Sequence, residues 1–111
     1  MKLRDLAGHV IIDLRKLTEY ALNPENPIGR HKARVFEAMR GYTQDNYQAL
    51  LEQIEAQALD ADAVVQHVDA YGQHVYADLE IVGVAGQRAS VRTGWLVAPG
   101  SDEARLITLL C

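Results

Sequence analysis

Val64-Val65-Gln66-His67-Val68-Asp69-Ala70-Tyr71-Gly72-Gln73-His74-Val75-Tyr76-Ala77-Asp78-Leu79-Glu80-Ile81 decides the fold class, because its pattern repeats every second residue on both sides of one turn. Val75, Ala77, Leu79 and Ile81 alternate with His74, Tyr76, Asp78 and Glu80, the signature of a strand with one buried face. Asp69-Ala70-Tyr71-Gly72 supplies the turn, so the stretch predicts a β-hairpin. Downstream, Gly83–Gly86 turns the chain again, Arg88–Val97 reads as a third strand, Pro99-Gly100-Ser101-Asp102 as a turn and Ala104–Leu110 as a fourth strand.

Upstream the period changes to three and four. Asp13 can cap a helix over Leu14–Leu22, which Asn23-Pro24 ends because the residue before a proline is pushed out of helical geometry. A second helix fits Arg30–Arg40, with Phe36 and Met39 on its buried stripe and Gly41 beyond its end. Thr43 opens a third, Gln44–Ala58, with Tyr47, Leu50, Leu51, Ile54 and Ala58 on one face. The expected fold is therefore α+β: about three N-terminal helices packed on a four-stranded antiparallel β-meander. It is a single domain over 1–111, with a helical part at 1–59 and the meander at 63–111.

The 111 residues, 49% of them hydrophobic and 23% charged, suit one globular domain large enough to bury its own core. Cys111 is the lone cysteine, so no internal disulfide can form and a reducing compartment is expected. Val10-Ile11-Ile12 is too short for a signal core or a membrane span, which points to a cytoplasmic protein with no membrane contact. The net charge of −4 hides an uneven distribution, +3 over residues 1–40, −8 over 41–87 and +1 over 88–111. That balance disfavours tight non-specific nucleic-acid binding and leaves room for a local basic face.

Gly29-Arg30-His31-Lys32 places cations on the first turn of the second predicted helix, where the dipole already carries partial positive charge. An anion docked there would relieve the repulsion, so the segment reads as a candidate phosphate or carboxylate site. A solvated helix start, with the side-chain stems covering Phe36, explains the same residues about equally well.

Ile12-Asp13-x-Arg15-Lys16-Leu17-Thr18-x-Tyr20-x-Leu22-Asn23-Pro24, Pro27-x-Gly29-x-His31-Lys32-Ala33-x-Val35-Phe36, Val91-Arg92-Thr93-x-Trp95 and Arg105-Leu106-x-Thr108 together resemble a group of small bacterial domains of unknown function. Those domains occur alone and at the C-termini of large secreted toxins and phage head proteins. By the order of its elements the group is similar to the barnase, EndoU, colicin and RelE-like class of metal-independent ribonucleases, an analogy of fold. The resemblance implies a toxin-like or toxin-derived ribonuclease acting on RNA without cofactor or metal, with an antitoxin or immunity protein as a possible partner. It implies His31, Lys32, Arg92, Thr93, Arg105 and Thr108 as positions of interest; taken with the basic helix start, the expected catalytic residues are His31, Lys32 and Thr108 and the expected phosphate-binding ones Arg30, Arg34, Arg92 and Arg105. It breaks at the C-terminus, where Leu109-Leu110-Cys111 stands in place of the group's usual aromatic residue. The alternative is a non-catalytic protein-interaction module of a phage or bacterial conflict system, binding another protein through its acidic centre, which the departing C-terminus and the net charge of −4 favour.

Alternation complicates a shared centre. Arg88, Ser90 and Arg92 fall on one face of the third strand and Thr93, Trp95 and Val97 on the other, with Trp95 expected in the core. Strict alternation sends Arg105 and Thr108 to opposite faces, so bringing them together needs a bulge or a strong twist, and Gly94 is a place to look for one. His67 and His74 face one another if Ala70-Tyr71 is a two-residue turn and share a face without pairing in a wider one. A solvent-facing pair is the expected role, because two ligands leave a zinc shell unfinished. No nucleotide-binding glycine loop, nucleophile elbow or calcium loop is present.

Overall fold

The computed structural model describes residues 1–27, Arg30, Arg34 and residues 41–110. Five strands form one sheet: β1 (His9–Ile11), β2 (Ala63–Asp69), β3 (Gly72–Val82), β4 (Arg88–Val97) and β5 (Glu103–Leu110), in the spatial order β1-β5-β4-β3-β2. β2 to β5 run antiparallel, and β1 lies parallel to β5, with His9 opposite Glu103 and Ile11 opposite Arg105. One α-helix, α1 (Tyr47–Gln57), continues into a tight turn at Ala58–Asp60.

Three helices on a four-stranded antiparallel meander is thus overturned: the described residues form a mostly β arrangement with a mixed, five-stranded sheet. His9-Val10-Ile11 supplies the missing strand. It is too short for a periodic signal, and its pairing rests on β5, some 94 residues away. The helix expected over Leu14–Leu22 contracts to a π-helical turn, Lys16–Ala21, in which the Leu22 amide reaches the Leu17 carbonyl at 2.8 Å. Asn26 Nδ2 donates to the Glu19 carbonyl at 2.8 Å and Gln44 to that of Thr18, so side chains satisfy carbonyls that a longer helix would have bonded internally. The helix expected over Arg30–Arg40 lies outside the described residues except for Arg30 and Arg34, both helical and exposed.

α1 starts at Tyr47, three residues late. The Thr43 hydroxyl accepts from the Asp45 amide at 3.2 Å, and Asn46 reaches back to the Thr43 amide at 2.7 Å and the Gly41 carbonyl at 2.9 Å. These bonds hold the predicted first turn as a loop.

The core lies between the inner sheet face and the segments that cover it. Val75, Ala77, Leu79, Ile81, Val91, Trp95, Leu106 and Leu109 meet Leu3, Leu17, Leu22, Tyr42, Leu50 and Ile54. Each large side chain in this set contributes roughly 1.5–3 kcal/mol by leaving water. Beyond Ala77, where β2 ends, the outer edge of β3 has no strand partner among the described residues, and α1 covers it. Gln53 pairs with both backbone groups of Val82, Oε1 accepting at 2.7 Å and Nε2 donating at 3.0 Å, while Gln57 Nε2 donates to the Glu80 carbonyl at 2.9 Å. Residues four apart on a helix rise about 6 Å, close to the roughly 6.8 Å between alternate strand residues, so one polar helix stripe seals one strand edge. Among the described residues no helix is long and apolar enough to cross a membrane.

Candidate functional site

With α1 and the N-terminal segment on the inner face, the opposite face of the sheet is left open among the described residues. His74, Tyr76, Asp78 and Glu80 stand on it from β3, and Leu96, Gly94, Arg92 and Ser90 stand opposite them from β4. Two bulges then change what the neighbouring strands present.

In β5 the register slips between Trp95↔Leu106 and Gly94↔Thr108, so Ile107 is the extra residue. Leu106 and Leu109 both enter the core, and Arg105 and Thr108 both reach the face that carries Arg92, Thr108 opposite Gly94 and Arg105 opposite Leu96. The alternation that separates Arg105 from Thr108 in the sequence is broken at this point. In β2 the slip falls between Val65 and His67, with Gln66 extra, and it turns His67 onto the open face opposite His74. Gly94 lies between the two bulges. A Cβ there would stand 2.8 Å from Thr108 Cγ2 and 3.5 Å from the Tyr76 ring, so its hydrogen leaves a hollow between them.

That hollow, about 170 Å³, is lined by His67, His74, Tyr76, Gly94, Ile107 and Thr108. Across the Ile107–Thr108 ridge lies a larger cleft of about 630 Å³, whose far bank is Asp13, Arg15, Lys16 and Glu19 on and before the π-helical turn. Single-turn π geometry is frequent at functional sites because it displaces side chains from helical register.

The cations of the open face differ in their freedom. Arg92 grips Asp78 with two donors, Nε to Oδ1 at 2.8 Å and Nη2 to Oδ2 at 3.1 Å, and lies 5.4 Å above the Tyr76 ring centre. The guanidinium hydrogen bond holds the Asp78 carboxyl below its usual range and raises Arg92. Arg88 pairs with Glu80 at 3.4 Å. Arg105, exposed, makes no ion pair with another described residue. On the cleft's far bank Arg15 is held by Asp13 at 2.7 Å, and Lys16 has no ion pair among the described residues.

Thr93 and Trp95 belong to the core: Trp95 Nε1 donates to Thr93 Oγ1 at 2.7 Å, and that hydroxyl donates to the Ala77 carbonyl at 2.6 Å. Of the positions expected from the sequence, Arg92, Arg105 and Thr108 share the open face, and Arg30 and Arg34 are exposed on a separate segment. His31 and Lys32 lie outside the described residues.

Asp69 is the residue that sequence reasoning missed. Ala70-Tyr71 is a two-residue turn, Asp69 pairs with Gly72, and His67 and His74 stack with ring centres 4.1 Å apart and planes inclined by 14°. Asp69 Oδ1 accepts the Tyr71 amide at 2.9 Å, while Oδ2 lies 2.8 Å from His74 Nε2 and 3.7 Å from His67 Nε2. Burial opposes ionisation of this carboxyl, but the Tyr71 and Gly72 amides and His74 outweigh it and hold Asp69 below its usual range. The spacing His67-x-Asp69 before a two-residue turn was the available signal.

No curated protein and no solved structure matches this chain. A family model described as Domain of unknown function (DUF6883) matches residues 2–111, and the chain belongs to that family.

Proposed function

From a family whose description assigns no activity, we propose an RNA-directed domain, a toxin-like or toxin-derived ribonuclease that cleaves phosphodiesters with side chains alone. The observation that carries this reading is the β5 bulge at Ile107, which sets Arg105 and Thr108 on the same open face as Arg92, beside the Tyr76 and His74 rings. An exposed sheet with aromatic rings between cations suits unstacked bases and the phosphates that join them.

In this mechanism Arg105 and the edge of Arg92 not bound to Asp78 hold the scissile phosphate, and Thr108 positions it across the ridge between hollow and cleft. His31 supplies the imidazole that activates the ribose 2′-hydroxyl or protonates the leaving oxygen, with Lys32, Arg30 and Arg34 adding positive charge. The 2′-oxygen bonds to phosphorus as the 5′-oxygen leaves, giving a cyclic phosphate and a free 5′-hydroxyl.

The test is incubation of the purified chain with total RNA and defined tRNAs, with and without EDTA, beside His31→Ala and Thr108→Ala. Cleavage that survives EDTA and falls at least about 100-fold in His31→Ala, with the fold retained, supports the reading. Intact RNA from folded wild-type protein overturns it.

A protein-interaction module is the second reading, and β2 favours it. This edge strand and its turn expose Val64, Val68 and Tyr71, at 67%, 67% and 74%. A neutralising protein would fit there by adding a strand to the edge. Loss of partner binding in Val68→Lys, with RNA untouched by the wild type, would favour this reading over the first.

A further inference from the structure

We propose that His67, Asp69 and His74 form a binding site for a zinc-class divalent transition-metal ion, with His67 Nε2, His74 Nε2 and Asp69 Oδ2 as ligands. One donor atom from each of the three residues lies within 4.8 Å of the others. A tetrahedral ion bonded at about 2.0–2.1 Å separates its ligand atoms by about 3.3 Å. The observed separations from Asp69 Oδ2, 2.8 Å and 3.7 Å, fall on either side of that value. Closing on an ion needs the two stacked rings to tilt toward one another, from a starting point at which both Nε2 atoms already lie within 3.7 Å of one carboxylate oxygen.

The backbone fixes this convergence. Without the Gln66 bulge, strict pairing beyond Val65↔Val75 would set Gln66 opposite His74 and carry His67 to the other face of the sheet. The two-residue turn holds Asp69 beside the pair, and the Tyr71 amide takes Oδ1, leaving Oδ2 for the imidazoles.

Two imidazoles and one carboxylate select zinc-class ions over magnesium or calcium, which take oxygen shells. Three protein ligands leave a fourth position for water or a substrate oxygen. The same two imidazoles border the 170 Å³ hollow with Tyr76 and Thr108. The inference does not depend on RNA cleavage, since its readout is metal binding.

The experiment uses the full chain carrying Cys111→Ser, so that the lone thiol cannot contribute, stripped with chelator and titrated with Zn²⁺ by calorimetry. Co²⁺ serves as a visible-absorption probe of coordination geometry. The proposal expects one saturable Zn²⁺ per chain and d–d bands with Co²⁺. It also expects at least about tenfold weakening in His74→Ala and in Asp69→Asn, and none in His9→Ala. Asp69→Asn retains an oxygen for the Tyr71 amide, which keeps the turn as a folded control. Absence of saturable binding to folded wild-type protein, or binding unchanged by both site variants, overturns the site.

Discussion

Inside the sheet, the Thr93 hydroxyl accepts from Trp95 and donates to Ala77, so it joins a large ring to the backbone of the next strand with no polar atom unpaired. Thr93→Val keeps the shape but takes the acceptor from Trp95 and one donor from the Ala77 carbonyl in a fully buried position. We expect it to lower stability by about 1–3 kcal/mol in urea denaturation, and Thr93→Ser, which keeps both bonds, to lose less. At the rim of the larger cleft the Arg15 side chain, and then its amide, hold Asp13 down to about 2. Because the folded value lies below the unfolded one, this interaction favours the native state fully above the unfolded value of about 3.9 and fades as pH falls toward the folded value. Carbon-13 titration of Asp13 should therefore show a midpoint near 2 in the wild type, and Arg15→Ala should return it toward 3.8. At this scale much was legible in the sequence. Alternation alone placed Trp95 inside and Arg92 outside, because single-face burial is written in every second residue of β4.

Elements were legible where their own residues specify them and illegible where a distant partner does. The strand expected over Arg88–Val97 is β4, whereas the Leu14–Leu22 pattern could not reveal that side chains from Asn26 and Gln44 would cap a π turn. The β5 bulge is similarly hidden: it is read only when Leu106 and Leu109 are both known to be buried. Its consequence is a clear pair of outcomes. Leu109→Ala should lower stability by about 2–5 kcal/mol as a core truncation, while Thr108→Ala should stay below about 1 kcal/mol. Strict alternation predicts the reverse order, so equilibrium unfolding of the two variants decides it. Gln53 offers a second test at the same scale, because its amide replaces a strand at the Val82 edge. Gln53→Ala should lose about 1–3 kcal/mol, more than Gln57→Ala, whose one bond to the sheet is exposed. The sequence marked the apolar stripe of α1 and left the glutamine stripe looking like ordinary solvent-facing surface.

The whole molecule separates support from exposure: one sheet face carries the core, and the other carries Arg92, Arg105, Thr108 and the stacked His67 and His74. The sequence indicated a segregated α+β chain, but it could not supply the fifth strand, since three residues at His9–Ile11 gain their conformation only from Glu103–Arg105. Gly8 donates to the Asp102 backbone at 2.9 Å and to its carboxylate at 2.8 Å, and His9 Nε2 lies 3.2 Å from Glu103 Oε1, so this junction is tied by several polar contacts. That pairing also sets a timetable. β1 leaves a ribosome well before β5, so the β1–β5 seam can close only once Glu103–Arg105 has emerged, and Val10 has no β5 partner until then.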